Sequence, residues 1–443
     1  MTSAAETIAK DGNAAFAILK TLSNEQRSAA LKAIHDGLQS QKSRILDANK
    51  IDMQNARDHN LSASLVKRLD LSNADKFDAM LSGILDVAAL DDPVGQVTLA
   101  RKLDEGLNLY RITAPIGVLL IIFESRPEVI ANIAALAIKS GNSAILKGGK
   151  ESYQTFKVMS EIVNETLASS TDVPAKAVQL IESREEVGDL LSQDRYIDLV
   201  IPRGSNALVR NIKDNTKIPV LGHADGICSI YVDDEFDLQK AKRIVVDSKT
   251  NYPAGCNAVE QLLLHRNISE EDIKSLVQAL LDAKVTVHVT PEVKKILAQT
   301  SEYIQDAAED AFDKEYLSFD ITVALVDDVD AAVQHINTHS SKHTDSIITQ
   351  NEAKANKFMK GVDSAGVYWN ASTRFADGFR YGFGTEVGIS TNKIHARGPV
   401  GLEGLMSYQY QLRGDGHIVG EYVGGGGNKV FVHEDLNPKS VKL

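Results

Sequence analysis

The chain has 443 residues, with 48 Lys and Arg against 60 Asp and Glu, a net charge of −12, 43% hydrophobic and 24% charged residues. That length exceeds one simple core and predicts two or three domains. The acidic balance repels phosphate backbones and anionic lipids, which argues against nucleic acid and membrane partners while leaving room for a local basic pocket.

The opening MTSAAETIAKDGNAAFAILK lacks the basic start and apolar run of a signal peptide. The longest apolar stretch, APIGVLLIIF, is about half a bilayer span. Two distant cysteines with no CxxC pair predict neither a disulfide framework nor a zinc ribbon. The expectation is a cytoplasmic protein.

Residues 1 to about 90 read as helices, with GLQSQ and DANK as candidate turns. DDPVGQV breaks the chain, and ARKLDEGLNLYRITAP alternates as a hairpin with DEG at its turn. IGVLLIIF reads as a strand buried on both faces of a parallel sheet, and EVIANIAALAIKS as a helix stopping at Gly141. SAILK, the turn GGK and the helix ESYQTFKVMSEIVNETLASS complete a βαβ unit. AVQLIE, SREEVGDLLSQ, IDLVIP and SNALVRNIKDN repeat the pattern.

A second α/β region begins at CSIYVD, followed by the helix LQKAKRIVVDSKT, a cysteine turn, AVEQLLLH and SEEDIKSLVQALLDAK. VTVHV, ITVALV and SIITQ supply further strands, and HIVGEYVGGGGNKVFVHEDL reads as two strands around a glycine hinge. GGGG is no phosphate loop, since no helix opens behind it.

One cysteine stands in NYPAGCNAVE, just before an apolar run. Local sequence leaves two roles open for Cys256: a small buried hydrophobe, or a reactive thiol whose ionisation a loop-to-helix junction would favour. Cys228, inside ICSIYV, reads as a packing residue.

Several motifs occur in a telling order: APIGVLLIIFESRPEVIANIAALAIKSGNSAILKGGKES, LVIPRGSNALV, GHADGICSIYVD, NYPAGCNAVE and HARGPVGLEGL. Over nearly its whole length the chain resembles the aldehyde dehydrogenase superfamily, and within it the branch that reduces γ-glutamyl phosphate. The resemblance implies an α/β fold with two Rossmann-like parallel-sheet domains plus a small β arm for oligomerisation. The implied domains are a cofactor-binding one over 1–227, with a bridging hairpin at about 99–113, a catalytic one over 228–400, and the arm over 401–443. It implies NADPH-dependent reduction of L-glutamyl 5-phosphate to L-glutamate 5-semialdehyde, the second step of proline synthesis from glutamate.

In that reading Cys256 is the nucleophile and its own N–H an oxyanion donor. Ser125, in FESRP, is either a second donor or a chain-turning residue. Hydrolytic relatives carry a water-activating glutamate in an ELGGK-like turn; here LGHADG stands there, and His223 is either a proton donor or a turn-stabilising residue. Lys147 and Lys150 match positions that hold the adenosine ribose and its 2′-phosphate, which favours NADP. Gly204 and Ser205 would present N–H groups to the pyrophosphate, and Glu315 would grip the nicotinamide ribose. Arg126, Asn257, Arg374 and Arg397 are the candidates for substrate contact, each arginine equally open to a structural ion pair.

His335, His339 and His343 fall at helical spacing in HINTHSSKH, but SSK should end the helix and the resemblance implies no metal. The expected partners are the small-molecule substrate, further copies of the chain and the preceding glutamate kinase. The rival readings are a hydrolytic or CoA-acylating aldehyde dehydrogenase and a non-catalytic partner of that kinase.

Overall fold

The computed structural model describes residues 3–61, 63–124, 126–181, 185–204, 206–298 and 300–441. Strand Val118–Phe123 is buried at every position. Its side chains alternate between two cores, as strand geometry requires. Leu119, Ile121 and Phe123 join the larger cluster, while Val118, Leu120 and Ile122 join the smaller one on the opposite face. It pairs in parallel with Ser143–Lys147 on one side and Leu199–Arg203 on the other, and Val178–Leu180 completes a four-stranded sheet.

Helix Val129–Lys139 fills the larger core. It ends where Gly141 takes φ +75°. The N–H groups of Gly141 and Asn142 then reach back to Ile138 O (3.0 Å) and Ala137 O (2.9 Å), satisfying carbonyls the helix would leave bare. A Cβ on Gly141 would meet Pro115 at 2.8 Å.

The amino-terminal segment is helical. GLQSQ holds the expected break, at Gln41 between helices Asn24–Ser40 and Lys42–Asp58, whereas DANK lies inside the second helix. Asn49 explains that difference. Buried, it donates to Leu69 O (2.9 Å) and Thr155 Oγ1 (3.2 Å) and accepts from the N–H of Leu71 (2.9 Å). Tertiary partners thus satisfy a residue that otherwise favours turns.

The second sheet is seven-stranded and wholly parallel. Its order is Ile304–Asp306, Thr286–Val289, Asp320–Val326, Val259–His265, Cys228–Val232, Thr344–Ile348 and Gly366–Trp369. The hairpin Val97–Asp104 and Leu107–Pro115 lies between Met406–Arg413 and Glu434–Leu436 in a separate antiparallel sheet. HIVGEYV, expected as a strand, is instead a short 3-10 turn at Val419–Glu421 with one bridge from Tyr422 to Lys429. Gly424 and Gly426, at φ +95° and +107°, fold the tail too tightly for a regular ladder. No helix among the described residues is long and apolar enough to cross a membrane.

Candidate active site

Three strands of the larger sheet begin at Cys228, Val259 and Thr344. Because the sheet is parallel, the residues just ahead of them gather along one edge: Gly226, Cys256 and His343. Arg203, at the carboxyl end of its strand in the smaller sheet, faces this edge closely enough to act electrostatically on Cys256.

Helix Leu238–Thr250 ends just before the cysteine loop, and the chain reverses through Tyr252 at φ +71°. The loop then feeds strand Val259–His265. Cys256 therefore precedes a strand, and the anticipated helix N-terminus is absent. The thiol is pushed up to about 12 by burial, then by Glu386 and Glu315, with Arg203 and Arg374 acting in the opposite sense. Cys228, buried, donates its S–H to the carbonyl of Cys256 at 3.4 Å and so props the loop.

Nε2 of His343 lies 3.3 Å from Sγ of Cys256, and its Nδ1 lies 2.9 Å from Thr344 Oγ1. His223 meets the His343 ring edge-on, centroids 5.2 Å apart, and its Nδ1 donates to Ile389 O at 3.1 Å. Burial holds both imidazoles below the ordinary histidine range.

Glu315 accepts from the N–H of Gly226, and burial pushes its carboxyl up to about 7. Beneath it Lys249 and Glu260 form a fully buried ion pair at 2.7 Å. Glu260 also accepts from Leu317 N–H (3.3 Å), so the pair ties the helix before the cysteine to the loop bearing Glu315.

Arg374 is buried and donates from Nε to Asn251 O, with its guanidinium over the Tyr252 ring. The side-chain amide of Asn257 donates to Ala376 O (2.8 Å), and its backbone carbonyl accepts from Thr373 Oγ1 (2.7 Å). Both residues clamp the cysteine loop. Arg397 is engaged with Asp363, at 2.9 Å to its carbonyl and 3.5 Å to its carboxylate. Arg126 is exposed, within electrostatic reach of Arg203 and Glu386.

Lys147 ends its strand half-buried, with Nζ donating to Gly148 O at 2.7 Å. Lys150 opens the 3-10 turn Lys150–Ser152 and is exposed. Gly204 crosses so close to Glu124 that a Cβ would stand 2.7 Å from its carboxyl carbon. Two cations thus border the carboxyl edge of the parallel sheet, a setting that fits a dinucleotide phosphate, while the Glu124 carboxyl fills the space beside Gly204. Ser125 and Ser205 lie outside the described residues.

The aldehyde dehydrogenase family model matches residues 2–316. The chain is 61% identical over 100% of both lengths to the γ-glutamyl phosphate reductase of Saccharomyces cerevisiae. The chain belongs to the aldehyde dehydrogenase family. The crystal structure of γ-glutamyl phosphate reductase from Thermotoga maritima matches at TM-score 0.91 and 38% identity, covering 94% of this chain and 100% of that one. An engineered glycolyl-CoA reductase with bound NADP+ shares the fold at TM-score 0.63 and 14% identity, over 92% of this chain and 96% of that one.

For a member of the aldehyde dehydrogenase family, three side chains around the sulfur escaped sequence reasoning: His343, Arg203 and Glu386. In sequence His343 groups with His335 and His339 only as a metal set to be dismissed. The helix ends at His339, as SSK implies. His335 bonds Gln261 (2.9 Å) and His339 bonds Asp313 (2.9 Å). A nearby cavity of about 370 Å³, lined by Arg266, Val326, Asp327 and His335, adjoins the carboxyl ends of two strands, the edge opposite Cys256. The usable signal was KHTDSIITQ, a strand start aligned with that of NYPAGCNAVE.

Proposed function

We propose that the chain reduces L-glutamyl 5-phosphate to L-glutamate 5-semialdehyde, releasing phosphate, with NADPH as reductant and Cys256 as nucleophile. The observation that carries the mechanism is the 3.3 Å contact between Sγ of Cys256 and Nε2 of His343.

Burial keeps the sulfur protonated, so ionisation must accompany attack. As sulfur bonds the acyl carbon, its proton passes to His343 and phosphate departs, leaving a thioester on Cys256. Arg203 and Arg374 favour negative charge at the sulfur, and the N–H of Cys256, with Ser125, is assigned to the oxyanion. The bound nicotinamide supplies the hydride. Collapse of the thiohemiacetal releases the aldehyde, and His343 returns its proton to the sulfur. Gly222 and His223 stand where hydrolytic relatives carry the water-activating glutamate, which spares the thioester.

Lys147, Lys150, Gly204 and Ser205 hold the cofactor in this reading, and Glu315 its nicotinamide ribose. Lys150 supports NADP over NAD; the bound NADP+ of the engineered glycolyl-CoA reductase suits the same fold. With Arg374 and Asn257 clamping the loop and Arg397 engaged with Asp363, Arg126 is our assignment for the substrate α-carboxylate. Strand Met406–Arg413 is a sheet edge with Tyr408, Tyr410 and Leu412 exposed, which supports an arm that pairs between copies. We place the protein in the cytoplasm, taking its substrate from glutamate kinase.

The test follows NADP(H) absorbance with glutamate 5-semialdehyde, with and without phosphate. Phosphate-dependent oxidation, lost in Cys256→Ala, is expected. Oxidation without phosphate, or full activity in Cys256→Ala, overturns the proposal.

A further inference from the structure

The sulfur of Cys256 and one ring nitrogen from each of His223 and His343 lie within 4.8 Å of one another. Tetrahedral zinc, with Zn–S of about 2.3 Å and Zn–N of about 2.0 Å, requires S···N separations of about 3.5 Å. His343 Nε2 already stands 3.3 Å from the sulfur, so small side-chain shifts convert the triangle into a ligand set. We propose that Cys256, His223 and His343 capture a thiophilic divalent cation such as Zn2+, reversibly withdrawing the sulfur from catalysis.

The surroundings are those of a built site. Each imidazole is oriented from behind, His343 through Nδ1 to Thr344 Oγ1 at 2.9 Å and His223 through Nδ1–H to Ile389 O at 3.1 Å. Such outer hydrogen bonds set the tautomer and the direction of a ligating ring. For His223 the carbonyl can only accept, which puts the proton on Nδ1 and leaves the Nε2 lone pair free. Burial keeps both rings neutral, the form that binds metal.

Glu386 and Glu315 bring acidic groups toward the sulfur, and Arg203 and Arg374 bring cations toward it, so capture of a cation there rests on the three ligand atoms. Binding is an exchange: the Cys256 S–H bond breaks, its proton goes to solvent, the sulfur–metal bond forms, and nothing is oxidised. Three protein ligands leave a fourth position for water. The other three-ligand group among the described residues, Asp233, Asp234 and His265, is different. There Lys354 Nζ already bonds Asp234 and sits 3.1 Å from Asp233, placing a cation among the carboxylates.

The experiment titrates the full-length protein with Co2+, whose thiolate charge-transfer absorption reports sulfur ligation. The wild type should bind one Co2+ per chain with that absorption, and Zn2+ should displace it and protect Cys256 from iodoacetamide. Cys256→Ser should lose the band. His223→Gln and His343→Gln should each weaken binding at least about tenfold, circular dichroism verifying the fold of each variant. A band that survives in Cys256→Ser, or affinity unchanged in His223→Gln with the fold intact, overturns the proposal. So does binding abolished by Asp234→Asn and by no change at the three ligands. Alkylation and reductase activity measured without metal test the nucleophile separately, so a failed metal site leaves the catalytic reading standing.

Discussion

A Cβ on Gly226 would stand 2.3 Å from the carbonyl oxygen of Cys256 and 2.6 Å from its Cα. The same atom would lie 2.6 Å from Glu315 Oε1. Only a residue without a side chain lets the entry to strand Cys228–Val232 run against the backbone that aims the sulfur. Gly226→Ala should therefore lower kcat on the order of 100-fold by misplacing Cys256 and cost about 1–3 kcal/mol of stability through overpacking. Steady-state kinetics and thermal denaturation read the two effects, and wild-type kcat would refute the prediction.

The thiol of Cys256 is pushed up to about 12. In the ligand-free protein its iodoacetamide labelling should climb about tenfold per pH unit from pH 7 to 10, following the thiolate fraction. Peptide mass spectrometry follows the residue. A plateau below pH 8 would mean that the sulfur is already ionised and that His343 has no proton to accept.

Lys249 and Glu260 are both fully buried and 2.7 Å apart. Burial drives Glu260 up to about 7 and Lys249 down, each toward its neutral form. Removing one partner strands the other, so Lys249→Met should destabilise by about 3–5 kcal/mol. The double change Lys249→Met with Glu260→Gln should recover most of that. Chemical denaturation of the three proteins decides it; equal losses in the single and double variants would count against the pair.

Lys150 is exposed beside the half-buried Lys147 at the carboxyl edge of the smaller sheet. If it meets the 2′-phosphate, Lys150→Glu should raise KM for NADPH by at least about tenfold, the worth of one charge-assisted hydrogen bond, and leave NADH nearly untouched. An equal rise for both cofactors would move Lys150 out of the phosphate site.

Much of this was legible in the chain. VLLIIF became a buried parallel strand because an unbroken apolar run is stable only where both faces are covered. SAILK, CSIYV and AVEQLLLH were legible as strands despite polar residues such as Glu260, which Lys249 meets. Gly141 ended its helix as expected, since the left-handed turn there suits a residue with no side chain. DANK departs from expectation because tertiary partners override local preference, through the buried hydrogen bonds of Asn49, and HIVGEYV because the turns at Gly424 and Gly426 leave no regular ladder for it.

The motifs around Cys256, Lys147 and Glu315 pointed to the family and its chemistry, because those residue types recur in a fixed order along one chain. Nothing local could show that the sulfur is protonated, or that its neighbour is a histidine 87 positions away. Burial and long-range pairing belong to the sheet edge where separate strand entries meet. There the thiol meets two imidazoles, two arginines and two carboxylates, and their distances decide how it reacts.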